Sequence, residues 1–170
     1  MIRTLLAALA LLVLLSPSPS LARRPAPRSF ISEIGYGPLR IGMSWDEARE
    51  ALPGLHGEYD RGCFEAETDA VPGLFAMFED DRLTSVSAGG ASGIPTSRGV
   101  RVGDNESLVR SRYGRSLVQT RHEYEAPPAK YLTLWVLPRR RGIRFEIDSR
   151  RRVSAIHAGG ASITYSEGCS

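Results

Sequence analysis

Two short stretches of this chain match each other, and the match limits how the chain can be assembled. Residues 39–44 read Leu-Arg-Ile-Gly-Met-Ser, and residues 100–105 read Val-Arg-Val-Gly-Asp-Asn. Aligned, they give an apolar residue, Arg, a β-branched residue, Gly, a variable residue and a helix-capping type. Each stretch then enters a helical pattern. In the first, Ser44 precedes Glu47 by three residues, the capping-box spacing in which each side chain satisfies the other's backbone N–H. Trp45, Ala48 and Leu52 then share a face, and Pro53-Gly54 ends the helix. In the second, Asn105 takes the N-cap, Val109 and Tyr113 lie four apart, and Gly114 stands where a left-handed cap belongs.

The later parts match as well. Residues 83–90 (Leu-Thr-Ser-Val-Ser-Ala-Gly-Gly) align with residues 153–160 (Val-Ser-Ala-Ile-His-Ala-Gly-Gly), which puts Ser87 and His157 at equivalent positions. Ahead of each lies another short strand and a turn: residues 74–78 before Glu79-Asp80-Asp81, and residues 143–147 before Asp148-Ser149-Arg150. In the second of these, Ile143, Phe145 and Ile147 alternate with Arg144 and Glu146, the pattern of a strand covered on one face. The expected fold is therefore α+β: two tandem units, residues 35–98 and 99–170, each a short helix packed on an antiparallel meander. Pieces this small are near the lower limit for independent stability, so the two units are expected to pack together.

The amino terminus reads as a secretory leader over residues 1–22. Arg3 is followed by an apolar run from Leu5 to Leu15 and a small-residue site at Ser20-Leu21-Ala22. Eleven apolar residues as a helix reach only about 16 Å, roughly half the hydrocarbon thickness, so no stable membrane span is expected after cleavage. Residues 23–34 are expected to be a solvated, flexible linker. Removing Arg3 from the formal charge of +3 leaves +2, too small an excess to suggest nucleic acid. The two cysteines, Cys63 and Cys169, read as one disulfide in an exported chain, clamping one unit to the other. The competing reading is a reactive or metal-binding pair.

The helix entry at Leu39-Arg40-Ile41-Gly42-Met43-Ser44-Trp45-Asp46-Glu47-Ala48, followed by Leu52-Pro53-Gly54, resembles the repeat opening of small envelope proteins. These are the outer-membrane assembly lipoproteins of the BamE/SmpA type and the tandem β-lactamase inhibitor protein. The resemblance covers about fifteen residues in each half and some strand pattern. It implies helices packed on antiparallel sheet, two such units in tandem in the inhibitor, and an exported protein-binding module. This chain departs from the group in lacking a lipid-bearing Cys after the leader and in having one Cys pair that spans the two halves. No partner-binding residue lies within the matched stretches.

Catalytic and metal chemistry leave weak traces. His56, His122 and His157 are far apart and without metal-ligand spacing, and each fits an ordinary surface or edge residue. Glu79-Asp80-Asp81 lacks the spaced oxygens of a calcium loop and fits a hairpin turn. Glu123 and Glu125, two apart on an expected strand, would share a solvated face. No serine-nucleophile motif occurs. Arg139-Arg140-Arg141 and Arg150-Arg151-Arg152 read as basic turns, with an anionic envelope component as the functional alternative. Trp135, in a strand apolar on both faces, reads as core or interface.

The expected function is that of an exported, periplasmic or secreted binding protein without catalysis or cofactor, an inhibitor or an envelope-assembly accessory. Its expected partner is another envelope or secreted protein. The alternative is a small exported hydrolase assembled from His157, His122 or the Glu123/Glu125 pair. A pocket gathering a His, a carboxylate and a hydroxyl would favour the enzyme, and a shallow sheet face with exposed aromatics would favour binding.

Overall fold

The computed structural model describes residues 29–138 and 140–169. The expected leader, residues 23–28 of the expected linker, and Arg139 lie outside the described residues. From Ile31 onward the linker assignment gives way to ordered structure. Ile31 is fully buried, donates its N–H to Pro95 O at 2.9 Å and accepts from Ser97 N–H at 2.8 Å.

The described chain begins with three two-residue strands, β1 (Ile31–Ser32), β2 (Gly35–Tyr36) and β3 (Leu39–Arg40), which form a small antiparallel sheet in that order. Helix α1 (Trp45–Ala51) follows, and then β4 (His56–Gly57), β5 (Cys63–Glu67), β6 (Leu74–Glu79) and β7 (Arg82–Gly89). After α2 (Glu106–Tyr113) come β8 (Val118–Arg121), β9 (Lys130–Leu137), β10 (Arg141–Ile147) and β11 (Val153–Gly159). The eight longer-range strands make one antiparallel sheet in the order β4-β5-β6-β7-β11-β10-β9-β8.

This arrangement corrects the expected α+β fold of two tandem helix-on-sheet units. The protein is mostly β, with one uninterrupted eight-stranded sheet, a separate three-stranded sheet and only two short helices among the described residues. The reason is physical. Strand β7 pairs with β11 over five registered residues, from Ala155↔Gly89 to Gly159↔Ser85, so the ladder continues through the middle of the molecule. The buried side chains also form a single cluster in which Phe78 and Leu83 belong with Phe145 and Ile156, leaving neither half a core of its own.

Both helices lie on the same sheet face. Trp45 of α1 meets Phe64 and Phe78 edge-on at 5.1 and 5.2 Å, and Phe64 stacks on Phe78 at 4.9 Å. Tyr113 of α2 meets Phe145 at 4.8 Å. The start of α1 is fixed by the expected capping box: Ser44 Oγ accepts from Glu47 N–H at 3.2 Å, and Glu47 Oε2 accepts from Ser44 N–H at 2.8 Å. At α2 the expected cap is only partly realised. Asn105 occupies the N-cap without a side-chain bond, whereas Gly114 does end the helix with φ 76°. The acidic run of residues 79–81 forms the β6–β7 hairpin turn, with Asp80 and Asp81 at φ 48° and 60°, a conformation Asp tolerates better than most residues.

Candidate functional site

The second face of the eight-stranded sheet carries the chemistry. At the end of β11, Gly159 has φ 150°, and a Cβ there would stand 2.3 Å from Thr84 O, so only glycine lets the chain pass this close. The chain then makes a short 3-10 turn (Ala161–Thr164) and crosses the face as a strap toward β5. Several ties hold it. Arg144 Nη1 donates to Ile163 O at 3.2 Å, Tyr165 OH to Glu79 Oε1 at 3.2 Å, and Tyr124 OH to Glu167 Oε1 at 2.7 Å. A covalent tie is the Cys63–Cys169 disulfide, with sequence separation 106. The bridge expected from the cysteine count is thus present, and it ties the strap to the sheet.

Beneath the strap, strand register assembles a polar chain. His157 on β11 stands opposite Ser87 on β7 and opposite Arg144 on β10. Glu146 lies two residues along β10 and therefore on the same face. Ser87 Oγ is 2.8 Å from His157 Nδ1, and His157 Nε2 is 3.2 Å from Glu146 Oε1. Burial works against the charge of Glu146, but the hydrogen bond from His157 and the fields of His157, His122 and Arg144 outweigh it. Its carboxyl is held below the ordinary value. The three side chains line a cleft of about 250 Å³ between sheet and strap, together with Phe75, Met77, Ser85, Ser162 and Tyr165.

The expected outward position of Arg144 is overturned by the strap. Arg144 is only 7% exposed and lies 3.5 Å from the centre of the Tyr131 ring, a cation–π contact. Burial lowers its pKa, while Tyr131, Glu146 and Glu123 support its charge. His122 also differs from the exposed residue expected. It is buried, stacked on Tyr131 at 4.6 Å, and its Nδ1 accepts from the N–H groups of Tyr124 and Glu125.

Other sequence candidates stay apart. Glu123 and Glu125 lie in the loop between β8 and β9 rather than on a strand, and Glu125 accepts from Ser149 N–H. His56 is exposed on the edge strand β4, its Nδ1 3.0 Å from Gly54 O. It borders a larger hollow of about 720 Å³ at the sheet edge, where carboxylates are scattered and no hydroxyl–imidazole pair converges. Trp135 is partly buried and lies across Gly142, where a Cβ would come within 2.6 Å of the indole. In the basic turns, Arg152 donates to Gly103 O and Arg151 lies 3.8 Å from Glu106.

Among the described residues no group of three His, Cys, Asp or Glu side chains is placed to hold a metal ion. None of their helices is long and apolar enough to cross a membrane. The residues that sequence reasoning missed are Ser87, Glu146 and Arg144. Their signals were the alternation that puts Arg144 and Glu146 on one face and the alignment that equates Ser87 with His157. No protein-family model, curated protein or solved structure matches the chain.

Proposed function

We propose that the chain is an exported, non-catalytic binding protein whose partner is another envelope or secreted protein, as an inhibitor or an envelope-assembly accessory. One observation carries this reading. Tyr165 on the strap, Tyr124 in the β8–β9 loop bonded to it and Phe75 on β6 are 45%, 59% and 37% exposed, on a surface tied down by a disulfide and two tyrosine–carboxylate hydrogen bonds. Tyrosines held this way offer a large contact area with little left to freeze on binding. Export is supported by the leader pattern at residues 1–22 and by a disulfide, a bond that persists in oxidising compartments. The helix-entry resemblance to BamE/SmpA-type and β-lactamase-inhibitor repeats supports the same class. The test is cross-linked capture from an envelope extract. One dominant partner is expected, with recovery reduced about tenfold by Tyr124→Ala with Tyr165→Ala. No partner, or capture indifferent to both substitutions, contradicts the reading.

The hydroxyl–imidazole–carboxylate chain favours a second reading, a hydrolase with Ser87 as nucleophile, His157 as base and Glu146 orienting the ring. The setting weighs against it. Ser87 stands on an interior strand paired with Phe75 on one side and His157 on the other, so the backbone N–H groups around it belong to the ladders. They are not free to stabilise an oxyanion. A fluorophosphonate reagent separates the two readings: a covalent adduct on Ser87 supports the hydrolase, and unmodified protein supports binding.

A further inference from the structure

The cleft has a chemistry that the protein-binding reading does not use. Hydroxyls of Ser85, Ser87 and Ser162 line it beside the His157–Glu146 pair, and no Arg or Lys is among its lining residues. Glu65 and Glu146 are both on its wall, so an anionic ligand would meet two carboxylates and no fixed cation. Ser162 Oγ is buried and has no hydrogen-bond partner among the described residues, although Ser162 is only 4% exposed. A buried hydroxyl in that state favours a ligand that brings its own donors and acceptors. Phe75, partly exposed, lines the same wall and supplies a flat apolar side chain of the kind that takes the C–H face of a pyranose. At about 250 Å³ the cleft is just under the usual range for small-molecule pockets, a size for one ring rather than an extended chain.

We infer that the cleft between the strap and β6, β7, β10 and β11 is a binding site for a small neutral polyhydroxylated ligand, a single saccharide ring. Ser87, His157 and Glu146 exchange hydrogen bonds with its hydroxyls, Ser162 supplies a buried donor from the strap, and Phe75 packs against its apolar face. The site does not depend on the proposed protein partner.

Saturation-transfer NMR on the full mature protein tests it, with glucose, galactose and N-acetylglucosamine as probes and acetate as the anionic control. At least one sugar is expected to receive saturation and acetate none. His157→Ala and Ser87→Ala should each weaken the responding sugar about tenfold, the effect of one lost hydrogen bond that strands its partner. Val118→Ser, on the far strand β8, should leave it unchanged. Should either polar variant fail to fold, Phe75→Leu on the exposed rim carries the same expectation. Silence from all three sugars, saturation of acetate alone, or equal sugar binding by every variant overturns the inference. Loss of the protein partner in the capture experiment, with sugar binding intact, would count only against the protein-binding reading.

Discussion

Ser87 and His157 face each other across β7 and β11, seventy residues apart in sequence, with Ser87 Oγ 2.8 Å from His157 Nδ1. The same two positions align when residues 83–90 are laid over residues 153–160. Positions equivalent in sequence have become neighbours in space because the two strands that carry them pair antiparallel at the middle of the sheet.

The partner on the other side of His157 gives a titration that can be read directly. Glu146 is held below the ordinary carboxylate value of 4.5. A group depressed in the folded state stabilises it above the unfolded pKa and loses that contribution as pH falls through the folded pKa. Carboxyl-carbon NMR should place Glu146 below 4.5 in the wild type, and His157→Ala should move it upward. An unmoved value would show that His157 does not sustain the charge.

Glu106 is a second carboxylate of this kind, and a better buried one. It is 6% exposed, accepts from Arg110 and Lys130, and lies 3.8 Å from Arg151. Burial raises its pKa, but the bonds from Arg110 and Lys130 more than reverse this, so it too is held low. Glu106→Gln should cost about 2–4 kcal/mol in urea unfolding at neutral pH, because Lys130 loses its partner in a partly buried site. The difference from wild type should shrink in acid, below pH 4.5, where the wild-type carboxylate protonates as well.

The disulfide closes a loop with sequence separation 106. Chain-entropy arguments credit such a loop with about 4.7 kcal/mol as an upper figure, and about 2–4 kcal/mol is usual. Cys63→Ser should therefore lower the melting temperature by several degrees, and intact-mass analysis of the wild type should show no free thiol. An unchanged melting temperature would mean that the noncovalent ties hold the strap unaided.

Phe78 is fully buried between Trp45 and Phe64. Phe78→Ala should cost about 3–5 kcal/mol from lost burial and a residual cavity. The loss should be global, since the core is one cluster, and a single cooperative unfolding transition measured by two probes would show it.

Local chemistry was legible in the sequence where the signal is short-range. The capping box at Ser44 and Glu47, the glycine ending α2, the acidic hairpin turn and the alternation of Ile143, Phe145 and Ile147 all depend on neighbours within a few residues. The fold class was not legible, because nothing in the matched halves says which strand edges meet. Once β7 meets β11, two expected units merge into one sheet. The site was hidden for the same reason. The alternation reads Arg144 and Glu146 as outward, and that face is covered because the last ten residues of the described chain fold back over it beside Tyr131 and His122.

The proposed docking surface is this strapped face and not the helix face. Site-specific photo-cross-linking tests it most directly, with benzoylphenylalanine placed at Phe75 on the strapped face and, separately, at Glu50 on the exposed side of α1. In an envelope extract, position 75 should yield one dominant adduct and position 50 none. Adducts from position 50 alone, or from neither position, would contradict the account.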